Sequence, residues 1–210
     1  MSVKAIFFDF NGTIADTGDA TIHIYNQLRK EFKLNDLNPT ELVALKSRSP
    51  FYYAWKLGMR PWNFAKIKKE SAIIVSSLIT NANTFIEMKS TLKSLAEKEV
   101  KLFIISSNAY DDIYDFLKRH ELDYFFEVYD NVTLNKKHRT IKKVLTKHYL
   151  STHEVLFIGD EMRDYEASKK AHVPFVFAKW GHIGDKGLLF NEPVLVNNSP
   201  LEILDLIDKN

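Results

Sequence analysis

The chain has 210 residues, 45% hydrophobic and 27% charged, and its 29 basic against 27 acidic side chains leave a formal charge of +2. That is room for one core domain with a modest insert, in a composition that excludes wholesale disorder. Near-balanced charge gives no electrostatic case for nucleic acid or an anionic membrane, and the absence of cysteine excludes disulfides, thiolate catalysis and thiolate zinc sites.

In chain order, residues 3–8 form a short apolar run rich in Val, Ile and Phe, as do 100–105, 126–129, 155–158 and 173–177. Runs of this length, bounded by charged or turn-prone residues, predict strands buried on both faces of a parallel sheet. After the first, the next convincing strand starts only at Val100, and the interval reads as helical. Ile22, Tyr25, Leu28 and Phe32 share a face. A second helix starts at Asn38-Pro39-Thr40-Glu41, with Asn38 as N-cap, Pro39 at the first helical position and Glu41 three residues after the cap. A third covers residues 65–79. The aromatic group Phe51, Tyr52, Tyr53, Trp55, Trp62 and Phe64 is expected to fill the core of this insert rather than to form a platform for substrate or nucleic acid.

Further along, Met88, Leu92, Leu95 and Ala96 make one apolar helical stripe, and Ile113, Phe116 and Leu117 a second. Ile141, Val144, Leu145 and Tyr149 make a third, opposite Lys142, Lys143 and Lys147. Alternating strand and helix predicts right-handed βαβ units, hence an α/β fold with a doubly wound parallel sheet. Residues 1–17 and 84–210 are expected to form the core domain, and 18–83 a small helical insert hinged near Thr17-Gly18 and residues 81–83. No stretch approaches the roughly 18 uncharged apolar residues of a membrane span. The opening apolar run is too short for a signal-peptide core, so the expected location is cytoplasmic.

Four segments carry chemistry. Asp9 follows the first buried strand directly, and ligands of open α/β sheets bind at the carboxyl ends of strands. Alone, such an Asp is more often a turn residue. The second strand ends in Ser106-Ser107-Asn108, where a hydroxyl followed by backbone donors suits a phosphoryl oxygen. Lys136-Lys137-His138-Arg139 precedes the third core helix; a lysine turned inward there would offset phosphate charge, whereas most basic runs are solvated faces. Gly159-Asp160-Glu161-Met162-Arg163-Asp164 places two carboxylates past a buried strand, a set that suits magnesium, which takes few carboxylates and keeps waters. The seven histidines show no metal-ligand spacing and are assigned no site.

Aspartate, then Ser, then Lys, then Gly-Asp-x-x-x-Asp, each at a strand end or helix start and in this order, resembles the haloacid dehalogenase superfamily. Residues 158–167 and Trp180-Gly181 are similar to its phosphoglycolate-phosphatase-like branch, in which the helical insert is a cap. The resemblance implies an Asp9 nucleophile that forms an aspartyl-phosphate, and magnesium bound by Asp9, Asp160, Asp164 and the backbone carbonyl of Asn11. It implies that Ser106 hydrogen-bonds the phosphoryl group, and that Gly12, Thr13, Ser107 and Asn108 line the phosphate. Lys137 fits the lysine of the motif better than Lys136, the alternative. The implied partner is a small phosphorylated metabolite admitted by the cap, with no nucleic acid and no membrane.

One residue departs from the pattern. Family phosphatases usually carry Asp-x-Asp at the first motif, and the second Asp protonates the leaving alcohol and then activates water. Here that position is Asn11, whose amide donates hydrogen bonds but shuttles no proton. Loss of general acid–base catalysis typically costs about 10²- to 10⁴-fold in rate. Three accounts of Asn11 stand at this point: an introduced substitution that traps substrate or phosphoenzyme, a natural residue in a slow enzyme or one with another base, and a protein that binds phosphoesters without turnover. Dehalogenation, which uses the same Asp without magnesium, is the rival chemistry. The retained Asp160 and Asp164 count against it.

Overall fold

The computed structural model describes residues 2–18, 20–45, 50–133, 136–182 and 194–208. Six parallel strands form one sheet: β1 (Ala5–Phe8), β4 (Lys101–Ile105), β5 (Phe125–Tyr129), β6 (Val155–Gly159), β7 (Phe175–Ala178) and β8 (Leu195–Asn197). Their spatial order is β5-β4-β1-β6-β7-β8. The chain therefore builds outward from β1 on one side, then crosses β1 and builds outward on the other. This is the doubly wound order, and its switch point falls beside β1.

The sheet is two-sided because its strands alternate apolar with apolar. On one face Ile6, Phe8, Leu102, Ile104 and Ile158 pack with α5 (Met88–Glu97), α6 (Tyr110–Arg119) and α9 (Glu202–Asp208). On the other, Ala5, Phe7, Phe103, Ile105 and Phe157 pack with α7 (Lys137–Lys147) and α8 (Met162–Ala171). All four residues of β1 are buried, which is why its sequence is a continuous apolar run. The expected sheet is thus observed, with differences at its margins. The edge strand β5 is half-exposed and turns Phe126 outward, so it is not buried on both faces. The strand β8 and helix α9 carry no strong sequence signal, and neither exceeds seven residues. Tyr149 leaves its predicted stripe and is 95% exposed, because α7 ends at Lys147 and Tyr149 takes a left-handed turn conformation.

Between β1 and β4 lies a two-stranded antiparallel ribbon, β2 (Ala15–Asp16) with β3 (Asn83–Thr84), too short to show periodicity in the sequence. The chain leaves this ribbon for α1 (Ala20–Leu28), α2 (Pro39–Leu45), α3 (Pro50–Lys56) and α4 (Phe64–Asn81), then returns to it. The capping box of α2 is formed: the Asn38 amide N–H donates to Glu41 Oε2 and the Glu41 N–H to Asn38 Oδ1, each at 2.9 Å. The interior of this helical unit is largely aliphatic, from Leu28, Leu42, Leu45, Leu57, Ile67 and Ile74, with Tyr25 and Phe32. The expected aromatic core is not there. Phe51, Tyr52, Trp55, Trp62 and Phe64 are exposed, and of that group Tyr53 alone packs on an apolar cluster. The seven-residue α3 is less than two turns long, and the aliphatic side chains of its neighbours already fill the space beneath it.

Phe7 is fully buried and meets Phe103 edge-on at 5.2 Å between centroids. Truncation to Ala is expected to cost about 3–5 kcal/mol of unfolding free energy, whereas Tyr149→Ala should stay within about 0.5 kcal/mol; urea denaturation of the two variants checks the contrast.

Candidate active site

Register brings three of the candidate residues, Asp9, Ser106 and Asp160, together. Phe8 pairs with Ile104 on one side and with Ile158 on the other. Asp9 therefore emerges from the central strand one residue short of the level at which Ser106 and Asp160 emerge from its neighbours. The Asp9 N–H still donates to the Ile158 carbonyl at 2.9 Å, so its backbone is fixed by the sheet. Lys137 comes from the first turn of α7, and Asp164 from the first turn of α8.

The carboxylates of Asp9, Asp160 and Asp164 are all buried and offer oxygens within 4.8 Å of one another. Lys137 Nζ lies between two of them, 2.8 Å from Asp9 Oδ1 and 2.6 Å from Asp164 Oδ1. Its side chain is 2% exposed, whereas Lys136 is exposed. Burial opposes the charge of Lys137, but Asp164 and Asp9 outweigh it and hold the ammonium above its usual range. Burial, reinforced by the charge of Asp9, pushes the Asp164 carboxyl up to about 7. Three carboxylates facing one ammonium, with Arg163 paired to Glu161 beside them, leave the ionised cluster two negative charges in excess, the amount that one divalent cation balances.

Two walls of this cluster leave no room for a side chain. Gly12 has φ +75°, and a Cβ on it would stand 2.2 Å from Asp160 Oδ2; one on Gly181 would stand 2.3 Å from the Gly12 carbonyl oxygen and 2.4 Å from Asp160 Cβ. Only glycines allow these two loops to close on Asp160. An all-oxygen donor set held this tightly fits a hard cation, so the residues present could hold a metal.

On the other side of Asp9 lies the motif at the end of β4. Ser106 is buried, and its Oγ accepts the Asn108 N–H at 3.1 Å. Ser107 is exposed. Thr13 is fully buried, and its Oγ1 has no hydrogen-bond partner among the described residues. The side chains of Asn11 and Asn108 form a reciprocal amide pair: Asn11 Nδ2 donates to Asn108 Oδ1 at 3.1 Å, and Asn108 Nδ2 to Asn11 Oδ1 at 3.0 Å.

The candidate site residues singled out from the sequence thus lie at the carboxyl end of the sheet, Ser107 being exposed there. Sequence reasoning missed His182, whose N–H donates to Asp160 Oδ2 at 3.2 Å and whose Nε2 lies 3.3 Å from Asp16 Oδ1. The signal available for it was Trp180-Gly181 immediately before. Trp180 Nε1 donates to the Thr13 carbonyl at 3.0 Å, tying that loop to the loop after β1. The pairing of Asn108 with Asn11, 97 residues apart, was likewise invisible.

A doubly wound α/β protein with a buried carboxylate–lysine cluster at its switch point, and helices inserted after the first strand, is a hydrolase architecture. Residues 6–178 match the family model of haloacid dehalogenase-like hydrolases, and the chain belongs to that family. It is 24% identical over 206 residues to a phosphoglycolate phosphatase of Synechococcus elongatus, covering 98% of this chain and 97% of the relative. It is 23% identical over 220 residues to the pyrophosphatase PpaX of Bacillus pumilus, covering 98% and 97%. A haloacid dehalogenase-like family hydrolase from Streptococcus pneumoniae superimposes with a TM-score of 0.80 at 20% identity, over 97% of this chain and 98% of that one. A subfamily IA hydrolase from Geobacter sulfurreducens gives 0.64 at 21% identity, over 98% and 96%.

Lys137→Met keeps the bulk of the stem but leaves Asp9 and Asp164 without their shared ammonium. In chelating buffer this variant is expected to lose about 3–5 kcal/mol of unfolding free energy. Lys136→Met, on the exposed side, should stay within about 0.5 kcal/mol.

Proposed function

We propose that the protein is a magnesium-dependent phosphohydrolase that works through an aspartyl-phosphate on Asp9, with turnover limited by Asn11. The observation that carries this reading is the position of Lys137 Nζ, 2.8 Å from Asp9 and 2.6 Å from Asp164 at the switch point of the sheet. A carboxylate held there by a buried ammonium is a fixed nucleophile, and the same ammonium offsets charge on an arriving phosphoryl group.

In this reading Asp9, Asp160, Asp164 and the Asn11 carbonyl hold the cation directly or through water. Bound magnesium would supply Lewis-acid stabilisation of phosphoryl oxygens. Ser106 Oγ already accepts the Asn108 N–H, so its hydroxyl hydrogen can donate to a phosphoryl oxygen, with Gly12, Thr13, Ser107 and Asn108 lining the same space. Asp9 Oδ attacks phosphorus, the bond to the leaving oxygen breaks, and water then cleaves the aspartyl-phosphate. Residues 18–83 act as the cap that covers the site and selects the leaving group, and 1–17 with 84–210 act as the core. The substrate is a small phosphorylated metabolite. Among the described residues no helix is long and apolar enough to cross a membrane, in keeping with a cytoplasmic enzyme.

Two measurements test this. Magnesium at about 100 times its dissociation constant should stabilise the fold by about 2.7 kcal/mol in thermal unfolding, and Asp160→Asn should abolish the effect. Asn11→Asp should raise hydrolysis of an aryl phosphate by about 10²- to 10⁴-fold, with the gain lost on chelation and in the Asp9→Asn, Asn11→Asp double variant. An Asn11→Asp protein inert across a broad phosphoester panel would end the catalytic reading in favour of phosphoester binding without turnover.

A further inference from the structure

The reciprocal pair of Asn11 and Asn108 decides more than rate. Each lies two residues beyond a site residue, Asn11 after Asp9 and Asn108 after Ser106, so the pair spans the space between nucleophile and phosphate-binding hydroxyl. Its two hydrogen bonds, at 3.1 and 3.0 Å, run in opposite directions. Each side chain gives an N–H and takes one in return, a match available to two amides and not to an amide facing an ionised carboxylate, whose oxygens only accept. Asn108 is 7% exposed and is fixed further by its own N–H on Ser106 Oγ. The pair therefore holds Asn11 with one amide hydrogen already used, leaving the other as the most it can offer a leaving oxygen.

A hydrogen bond is not a proton. With a carboxylic acid at position 11, even an alkoxide could depart as the alcohol. With a clamped amide there, the leaving oxygen must carry away the electron pair of the broken P–O bond as an anion. We infer that the Asn11–Asn108 pair restricts the site to substrates whose leaving group is a stable anion, namely phosphoanhydrides and acyl phosphates, and selects against alkyl phosphomonoesters. Phosphate, which leaves monoprotonated pyrophosphate as a dianion whose conjugate acid ionises near neutral pH, and a carboxylate, at about 4, depart without being protonated by the site. An alkoxide does not. The inference rests on the aspartyl-phosphate reading and names the substrate class for it.

The steps balance without another reactant. Asp9 Oδ bonds to phosphorus as the P–O bond to the leaving group breaks, and the leaving group departs as the anion. Water then attacks the aspartyl-phosphate, its oxygen and both hydrogens leave as dihydrogen phosphate, and the Asp9 carboxylate is restored. The second step also lacks a base at position 11, so the phosphoenzyme accumulates and its formation can be read directly.

The test is rapid-quench phosphorylation of the whole protein in magnesium by pyrophosphate, acetyl phosphate and glycerol phosphate. Pyrophosphate and acetyl phosphate should label Asp9 at least about 100-fold faster than glycerol phosphate, the lower end of what general acid catalysis contributes. In Asn11→Asp that gap should narrow at least tenfold, a change a purely structural role for the pair would not produce. Equal labelling by glycerol phosphate in the unaltered protein would overturn the inference and point to a proton donor elsewhere, with His182 beside Asp16 the first to examine. Labelling of Asn11→Asp alone, with no donor labelling the unaltered protein, would also overturn it while leaving the aspartyl-phosphate reading intact. If neither protein is labelled by any donor, that reading falls and the inference falls with it.

Discussion

Burying three carboxylates within 4.8 Å of one another is a cost that the fold must answer, and Lys137 answers only part of it. Like charges at this spacing in a low-dielectric interior repel by several kcal/mol unless compensated. One ammonium reaches two of the three groups, and burial then drives the Asp164 carboxyl upward. Much of the local architecture follows from holding this imbalance in place. The parallel register delivers Asp9 and Asp160 from adjacent strands, helix starts deliver Lys137 and Asp164, and two glycine loops close over Asp160.

The same register explains why the two asparagines meet. Strands β1 and β4 are neighbours, so residues two positions past Asp9 and past Ser106 emerge only one residue apart in register, near enough for their side-chain amides to meet. Residue type at one strand end therefore limits residue type at the other. An amide at position 11 finds its full complement in an amide at position 108, and exchange of either alone leaves one donor or acceptor facing the wrong partner. Chemistry at the first motif and packing at the second are in this sense a single choice.

What was legible in the sequence was whatever rests on local physics. Buried parallel strands write themselves as apolar runs, and residues 5–8, 101–105 and 155–159 were readable to within two residues for that reason. The start of α2 at Asn38-Pro39 was readable because capping chemistry is local. Asp9, Ser106, Lys137, Asp160 and Asp164 were readable because each sits at a strand end or a helix start. What depended on three-dimensional competition was not. The exposed aromatics of α3 and its following turn could not be told from core residues by composition, since aliphatic neighbours had taken the interior first. Tyr149 kept helical spacing after the helix had ended. Contacts across nearly a hundred residues or more, Asn11 with Asn108 and Trp180 with Thr13, carry no local trace.

The ribbon of β2 and β3 pairs Ala15 with Thr84 and Asp16 with Asn83. A chain that departs at Asp16 and re-enters at Asn83 arrives where it left, so the path of the sheet is the same whatever is spliced between those points. The helices described between those points are a cassette in the topological sense: their length and sequence can drift, or be exchanged for another module, without altering the route from β1 to β4. The candidate-site residues Asp9, Asn11, Ser106, Lys137, Asp160 and Asp164 all lie outside the cassette. Changes in the cassette can thus accumulate without moving the strand ends on which the candidate site is built.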